Sequence, residues 1–300
     1  MPSFRAAAAR VRVPATSANL GPGFDSAGLA LTLYDEVSVR VTDSGLVVDI
    51  AGEGADDLPR DDRHLVVTSL RAAFDRLGGQ PAGLVVDCTN RIPHARGLGS
   101  SSAAICAAVV AARALVEDGE ELLDDDAVLA LATELEGHPD NVAACLRGGA
   151  TFAWGHPVQV LRVDVVPELA PVAFVPTVRS STRTVRAMLP ATVPYADAAA
   201  NAGRAALLPT ALATRPDLLM AATEDWLHQQ YRAPAMPESA ALVAALRADG
   251  VAAAISGAGP TVLALTLSDE AQAVAALAPA GWTVLRLRVA PDGSQVLPPA

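Results

Sequence analysis

The chain has no lysine. All 22 of its basic residues are arginine, among 300 residues. That absence excludes a Walker A nucleotide loop, which places a lysine directly after its last glycine. Positive charge is also scarce overall. Thirty-three acidic residues against 22 basic ones leave a formal net charge of −11, which argues against nucleic acid or an anionic membrane as a partner. An anionic ligand would have to be met by locally placed arginines or a bound cation. Cysteine is rare: Cys88, Cys106 and Cys145 are scattered in apolar runs. They read as small buried hydrophobes, not as a disulfide frame or metal cluster, which fits a reducing cytoplasm. No window of ~18 residues is apolar and free of charges and breakers. The first ten residues hold arginines and alanines but no apolar stretch of signal-peptide length. A membrane span and a secretory leader are therefore not expected, and a cytoplasmic location is. There is no internal repeat. The alanine bias and the missing lysine are read as genome composition. Half of the residues, 51%, are hydrophobic, enough for a sizeable core in one large domain or two of ~150 residues.

Against this background one stretch stands out, Arg91 to Ala104, reading RIPHARGLGSSSAA. It leaves an apolar run at Leu84–Val86 that reads as a strand. It enters an Ala/Val-rich run from Ser100 to about Leu115, without Pro or Gly, that reads as a long buried helix. Gly97 and Gly99 lie two apart in the connecting loop, and three serines open the helix. A helix start offers unpaired N–H groups and the positive end of the helix dipole. Glycines let the backbone close on a ligand, and hydroxyls add donors and a possible metal ligand. The combination is that of a phosphate cradle. The plain alternative is an N-capped helix with a glycine-rich entry.

Elsewhere, Val11–Val13 alternates as a short strand. Pro14 to Gly28 (PATSANLGPGFDSAG) reads as a long polar loop. Tyr34 to Val41 is a half-buried strand by alternation, and Leu46 to Ile50 its expected hairpin partner. His64 to Leu77 has helical apolar spacing. Asp126 to Glu136 is a further helix, broken at Gly137-His138-Pro139, after which Asp140 or Asn141 can cap the next one. Strands are expected at 150–154 and 158–163, with a domain boundary at the turn between them, giving domains 1–155 and 156–300. The second half reads as a strand at 172–175 and a helix from Ser180 to Leu189. Strands at 251–255 and 262–267 bracket Ser256-Gly257-Ala258-Gly259-Pro260. A helix at 269–277 and a strand at 282–289 precede a frayed, proline-rich tail.

The sequence PHARGLGSSSAA resembles the ATP loop of the GHMP small-molecule kinases. PATSANLGPGFDS resembles the first signature of their homoserine kinase branch, SGAGP resembles the third signature, and ELEGHPDNVAACLRGG resembles the branch's intervening segment. The matches run in order from Val11 to Leu267. The resemblance implies an α+β fold, with an amino-terminal nucleotide domain, a ferredoxin-like carboxy-terminal domain and the active site between them. It implies ATP-dependent phosphorylation of the L-homoserine hydroxyl, a step toward threonine, with ATP and Mg²⁺. It places ATP on Pro93, His94, Ala95, Arg96, Gly97, Leu98, Gly99, Ser100, Ser101, Ser102 and Ala103. His64 stands where the branch usually has an asparagine near the adenine. The amino acid falls on Asn19, Asp25, Asn141, Arg186 and Arg232.

Chemically, a carboxylate suits an ammonium, and guanidinium forks suit a carboxylate or phosphate. Arg183, on the same helix face as Arg186, could exchange roles with it. The metal would sit on Ser101 and one acidic residue. Glu134 and Glu136 are ~200° apart around a helix, so only one can face the site; Glu134 is chosen by its offset from the His-Pro-Asp-Asn turn. Asp140 is a candidate base, although the homoserine kinases are thought to need none, and Asn141 and Arg186 complete the expected catalytic set. The alternatives are a related kinase for threonine or mevalonate, and a non-catalytic nucleotide-binding module. The oligomeric state is not fixed by the sequence, and a homodimer is one reading.

Overall fold

The computed structural model describes residues 2–180 and 182–298, without the side chains of residues 182 and 183. Along the chain the strands are β1 (Ala9–Ala18), β2 (Ala27–Thr42), β3 (Gly45–Gly52), β4 (Gly83–Asn90), β5 (Ala150–Trp154), β6 (Gln159–Val163), β7 (Val172–Val175), β8 (Ala253–Ile255), β9 (Val262–Ala264), β10 (Thr283–Arg286) and β11 (Gln295–Leu297). The helices of the first half are α1 (Leu65–Arg76), α2 (Ser100–Leu115), α3 (Gly119–Leu122), α4 (Asp125–Glu136) and α5 (Asp140–Arg147). Those of the second are α6 (Thr182–Arg186), α7 (Tyr195–Ala213), α8 (Leu219–Ala222), α9 (Gln229–Arg232), α10 (Pro237–Ala248) and α11 (Ala271–Ala275).

β2 is the spine of the first sheet. β1 runs antiparallel along one edge of it. The other edge is shared, with β4 on residues 36–42 and β5 on residues 27–29. The expected loop at 14–28 is therefore partly strand: β1 continues through Pro14 to Ala18, and the register shift that a proline calls for falls between Pro14 and Ala15. Leu46–Ile50 is not the hairpin partner of β2. β4 inserts between them and pairs parallel with β3. The insertion works because Gly83 has no side chain; a Cβ there would overlap the backbone of Ser44, in the connection from β2 to β3.

α2 is apolar almost all round and is correspondingly buried from Ser102 through Ala112, Ala104 excepted. It packs on β1 and β2 on one side and on α1, α4 and α5 on others. This holds its amino-terminal end fixed against the sheet.

β5 and β6 pair across the turn at 155–157, so the expected boundary falls inside a hairpin of the first sheet. The tail also joins that sheet, since β11 pairs with β1 and Ala290 is fully buried. Proline content suggested fraying, but the backbone finds an open sheet edge. The second sheet runs β10-β7-β9-β8, all antiparallel, with helices between its first and second and its third and fourth strands. This is the ferredoxin-like split arrangement. α10 and α11 cover it around a core that includes Phe174, Val262 and Leu246. The helix expected to run to Leu189 is shorter and ends at Arg186.

Candidate active site

The loop from β4 into α2 has positive φ at Ala95, Gly97 and Gly99. Both glycines are also steric necessities. A Cβ on Gly99 would overlap the Thr16 hydroxyl, and one on Gly97 would overlap the Ser256 carbonyl. The turn 256–260 is laced to this loop. The Ser256 hydroxyl donates to the Gly97 carbonyl at 2.6 Å and lies 2.8 Å from the Ser17 hydroxyl. Gly257 N–H donates to the Ala18 carbonyl, 3.0 Å. Three segments distant in sequence thus meet at the amino-terminal end of α2.

Two cavities flank that helix end, and Ser100 and Ser101 line both. The first, about 220 Å³, is largely apolar and is lined by Val13, Val37, Leu58, Leu65, Val66, Ala103 and Ala104 with His64, His94, Asn90 and Asp35. The His64 side chain is buried, and its Nδ1 has no hydrogen-bond partner. Burial pulls the pKa of both histidines below the usual value. Asp35 Oδ1 accepts the N–H groups of Arg91 (2.5 Å) and Ile92 (2.9 Å), anchoring the start of the phosphate loop. Burial nevertheless pushes its pKa up to about 6.

The second cavity, about 70 Å³, is polar. Asn19, Asp25, Asp140, Asn141, Arg186 and Arg232 all line it, as do Ala95, Gly97, Gly99, Glu136, His138 and Ser180. Asp25 takes both Arg186 amino groups, at 2.8 and 2.6 Å. These bonds raise the Arg186 pKa. Asn19 Oδ1 accepts from Asp25 N–H (3.1 Å), and its Nδ2 donates to Gly257 (3.0 Å). Arg232 is 3% exposed, and its Nε is unpartnered. Its pKa falls, first through burial and then through the neighbouring Arg186. The Phe24 ring lies 5.3 Å from the Arg186 guanidinium and 5.1 Å from that of Arg232. Asp140 Oδ1 holds His138 Nδ1 at 2.8 Å and accepts from Asn141 N–H at 2.8 Å. The bond to Asp140 raises the His138 pKa. Asn141 Oδ1 accepts from Thr16 at 2.8 Å.

Three expectations about placement need correction. Glu134 is outside the cleft: it pairs with Arg76 at 2.7 Å, with 64% of its side chain exposed. Glu136, one helical face over, is the carboxylate at the site. Its Oε1 accepts from Ser101 (2.7 Å) and Ser102 (2.8 Å). Arg96 turns away from the cleft onto main-chain carbonyls. Leu98 is fully buried and contributes its carbonyl, to Thr16 N–H, instead of a side chain.

Ser102 and Ala103 lie in the first turn of α2, and Pro93 in the loop before it. The Arg183 side chain and Ser181 lie outside the described residues. His138, Phe24 and Asp35 were missed in the sequence, because a turn histidine, a loop phenylalanine and a strand aspartate carry no spacing signal. No cluster of three or more metal-binding His, Cys, Asp or Glu side chains occurs among the described residues. Nor is any helix there long and apolar enough to cross a membrane.

Residues 64–149 match the GHMP kinases N terminal domain, and residues 207–282 the GHMP kinases C terminal domain. The chain is 64% identical to the homoserine kinase of Streptomyces avermitilis, over 99% of this chain and 98% of that one. It is 48% identical to the homoserine kinase of Rhodococcus erythropolis, over 95% and 94%. Among solved structures, that of homoserine kinase from Cytophaga hutchinsonii superposes with a TM-score of 0.82 at 28% identity, covering 99% of each chain.

Proposed function

The chain belongs to the homoserine kinase branch of the GHMP kinases, and from that premise we propose how its cleft moves the γ-phosphoryl group of ATP to the hydroxyl of L-homoserine. The product is O-phospho-L-homoserine, on the route to threonine. The observation that carries the reading is the shared wall: one helix start, Ser100 and Ser101, borders both an apolar cavity and a charged one. A nucleoside in the first and an amino acid in the second meet across the N–H groups of α2.

Phosphoryl transfer asks the protein for alignment and charge stabilisation more than covalent work. The amides at the start of α2, with Gly97 and Gly99 permitting close approach, hold the phosphates. His64 offers its bare ring nitrogen to the base. The donor set at Glu136 fits Mg²⁺: a carboxylate beside two hydroxyls, with Oε2 taking no hydrogen bond among the described residues. Magnesium prefers oxygen ligands and commonly takes only one or two carboxylates plus substrate phosphates. Bound there, the ion would neutralise phosphate charge in an acidic protein.

Asp25 receives the ammonium and Arg232 the carboxylate, with Arg186 positioned between acceptor and phosphate. A zwitterion matches this pairing of one carboxylate and two guanidiniums. A simple hydroxy acid would bring no ammonium to share the Asp25 carboxylate with Arg186. Asn141 orients the hydroxyl. Asp140, whose Oδ1 is shared by His138 and the Asn141 amide, is assigned to positioning rather than to proton removal. Asp140→Asn should accordingly cost less than ~100-fold in turnover, whereas a larger loss with intact folding would restore it as a base. Steady-state ADP release with L-homoserine, L-threonine and mevalonate in parallel tests the reading. Turnover should be confined largely to L-homoserine, and comparable rates with mevalonate would overturn the roles of Asp25 and Arg232.

A further inference from the structure

Arg96 sits in the middle of the phosphate loop, where a cation would be expected to meet phosphate. Its side chain does something else. Nε donates to the Pro176 carbonyl at 2.7 Å, one terminal nitrogen to Thr177 at 2.7 Å, and the other to His94 at 2.9 Å. Next to it, the Ala95 carbonyl accepts from Ser180 N–H at 2.9 Å. Pro176 to Ser180 is the segment that leaves β7 and feeds α6, whose last residue is Arg186. Arg186 in turn grips Asp25. From outside, Arg179 pairs with Asp57 at 2.7 Å, an exposed contact that tethers the same segment to the loop after β3. The line from phosphate loop to acceptor arginine is therefore continuous: Ala95 and Arg96, the 176–180 strap, α6, Arg186, Asp25.

We propose that Arg96 is a positioning residue that couples nucleotide occupancy of the loop to the affinity of the acceptor site, through the strap at 176–180. A loop ordered on triphosphate fixes the His94 and Ala95 backbone, and with it the anchor of the strap and the placement of Arg186. Two distinct sites linked by one shared element are what coupling requires. A planar guanidinium can satisfy three carbonyls on two chain segments at once, which an ammonium point charge does not do. This role rests on the assignment above of ATP to the loop and of the amino acid to Arg186 and Asp25.

The test is calorimetric titration of the full chain with L-homoserine, with and without Mg²⁺ and a non-hydrolysable ATP analogue. In the parent protein the analogue should tighten L-homoserine binding by at least about 5-fold, the lower end of ordinary coupling. Arg96→Lys, which keeps the charge but not the fork, should reduce that ratio to about 2-fold or less. A retained ratio, or none in the parent protein, overturns the coupling. Should Arg96→Lys fail to fold, amide hydrogen exchange in the parent protein decides: the analogue should slow exchange of the Ser180 N–H, which donates to the Ala95 carbonyl, and an unchanged rate there overturns the proposal. If L-homoserine failed to bind the parent protein at all, the acceptor assignment itself would fall, a result distinct from binding without coupling.

Discussion

Two glutamates one turn-fraction apart have opposite fates. Glu136 reaches back to the hydroxyls of Ser101 and Ser102, while Glu134 is spent on a solvent-exposed pair with Arg76. Glu136→Gln should lower turnover on the order of 100-fold or more, since it removes the charged oxygen offered to the metal. Glu134→Gln should stay within about 2-fold, because exposed ion pairs contribute little. ADP release at saturating Mg²⁺ measures both, and an inverted pattern would sink the assignment. Asp35 is a different kind of residue. Burial lifts its pKa from 3.8 to about 6. Between those values the folded chain holds a proton that the unfolded chain has released. The group's contribution to stability therefore falls as pH rises from about 4 to 6, and is lowest above that. The shift corresponds to about 3 kcal/mol at neutral pH. Asp35→Asn keeps an oxygen for the Arg91 and Ile92 amides and removes the buried charge. Its stability relative to the parent, from denaturant unfolding at pH 4.5 and 7, should rise toward pH 7. A difference independent of pH would contradict the argument.

At the scale of elements, the crossing of β2 and β3 over the end of β4 depends on one missing side chain. Gly83→Ala would push a methyl into the Ser44 backbone, and overpacking of this kind costs about 1–3 kcal/mol. Gly45, the first residue of β3 and the partner of Gly83 in the ladder, has nothing within 4 Å of a built Cβ, so the two sites separate crowding from strain. Its φ of +80° still makes alanine strained there, at roughly 1 kcal/mol. Thermal unfolding should rank Gly83→Ala below Gly45→Ala, and the reverse order would show that β4 tolerates a side chain at the crossing. α4 is held at its start by Asp124, which accepts the Ala127 N–H at 2.8 Å. Asp124→Ala should cost ~1 kcal/mol without altering turnover, since the helix end that presents Glu136 lies three turns away.

Across the whole molecule, the two sheets are joined where the turn at 256–260 meets the phosphate loop, and the chain's last segment returns to the first sheet. Ser294 donates to the Cys145 carbonyl at 3.0 Å, and β11 covers the outer edge of β1. Truncation after Ala290 should therefore lower the Tm by about 3 °C or more. A tail with no structural part would leave the Tm unchanged.

Local chemistry carried much of this in the open. The phosphate loop and the apolar helix behind it follow from glycine conformation and helix ends, properties of residues and their near neighbours, whereas Asn19, Asp25, Arg186 and Arg232 are singled out only because their segments resemble the homoserine kinase branch. The burial of the three cysteines, which are free and buried, also follows from residues and their near neighbours. Other features depend on which distant segments become neighbours. β4 had to be seen lying between β2 and β3 before their pairing was known, and a two-residue connection gives no sign of such an insertion. The choice between Glu134 and Glu136 turned on how α4 is rotated against α2, a packing decision made by the buried faces of both helices. The direction of the Arg96 side chain turned on carbonyls 80 residues further along the chain, because a guanidinium goes wherever the most unpaired acceptors converge.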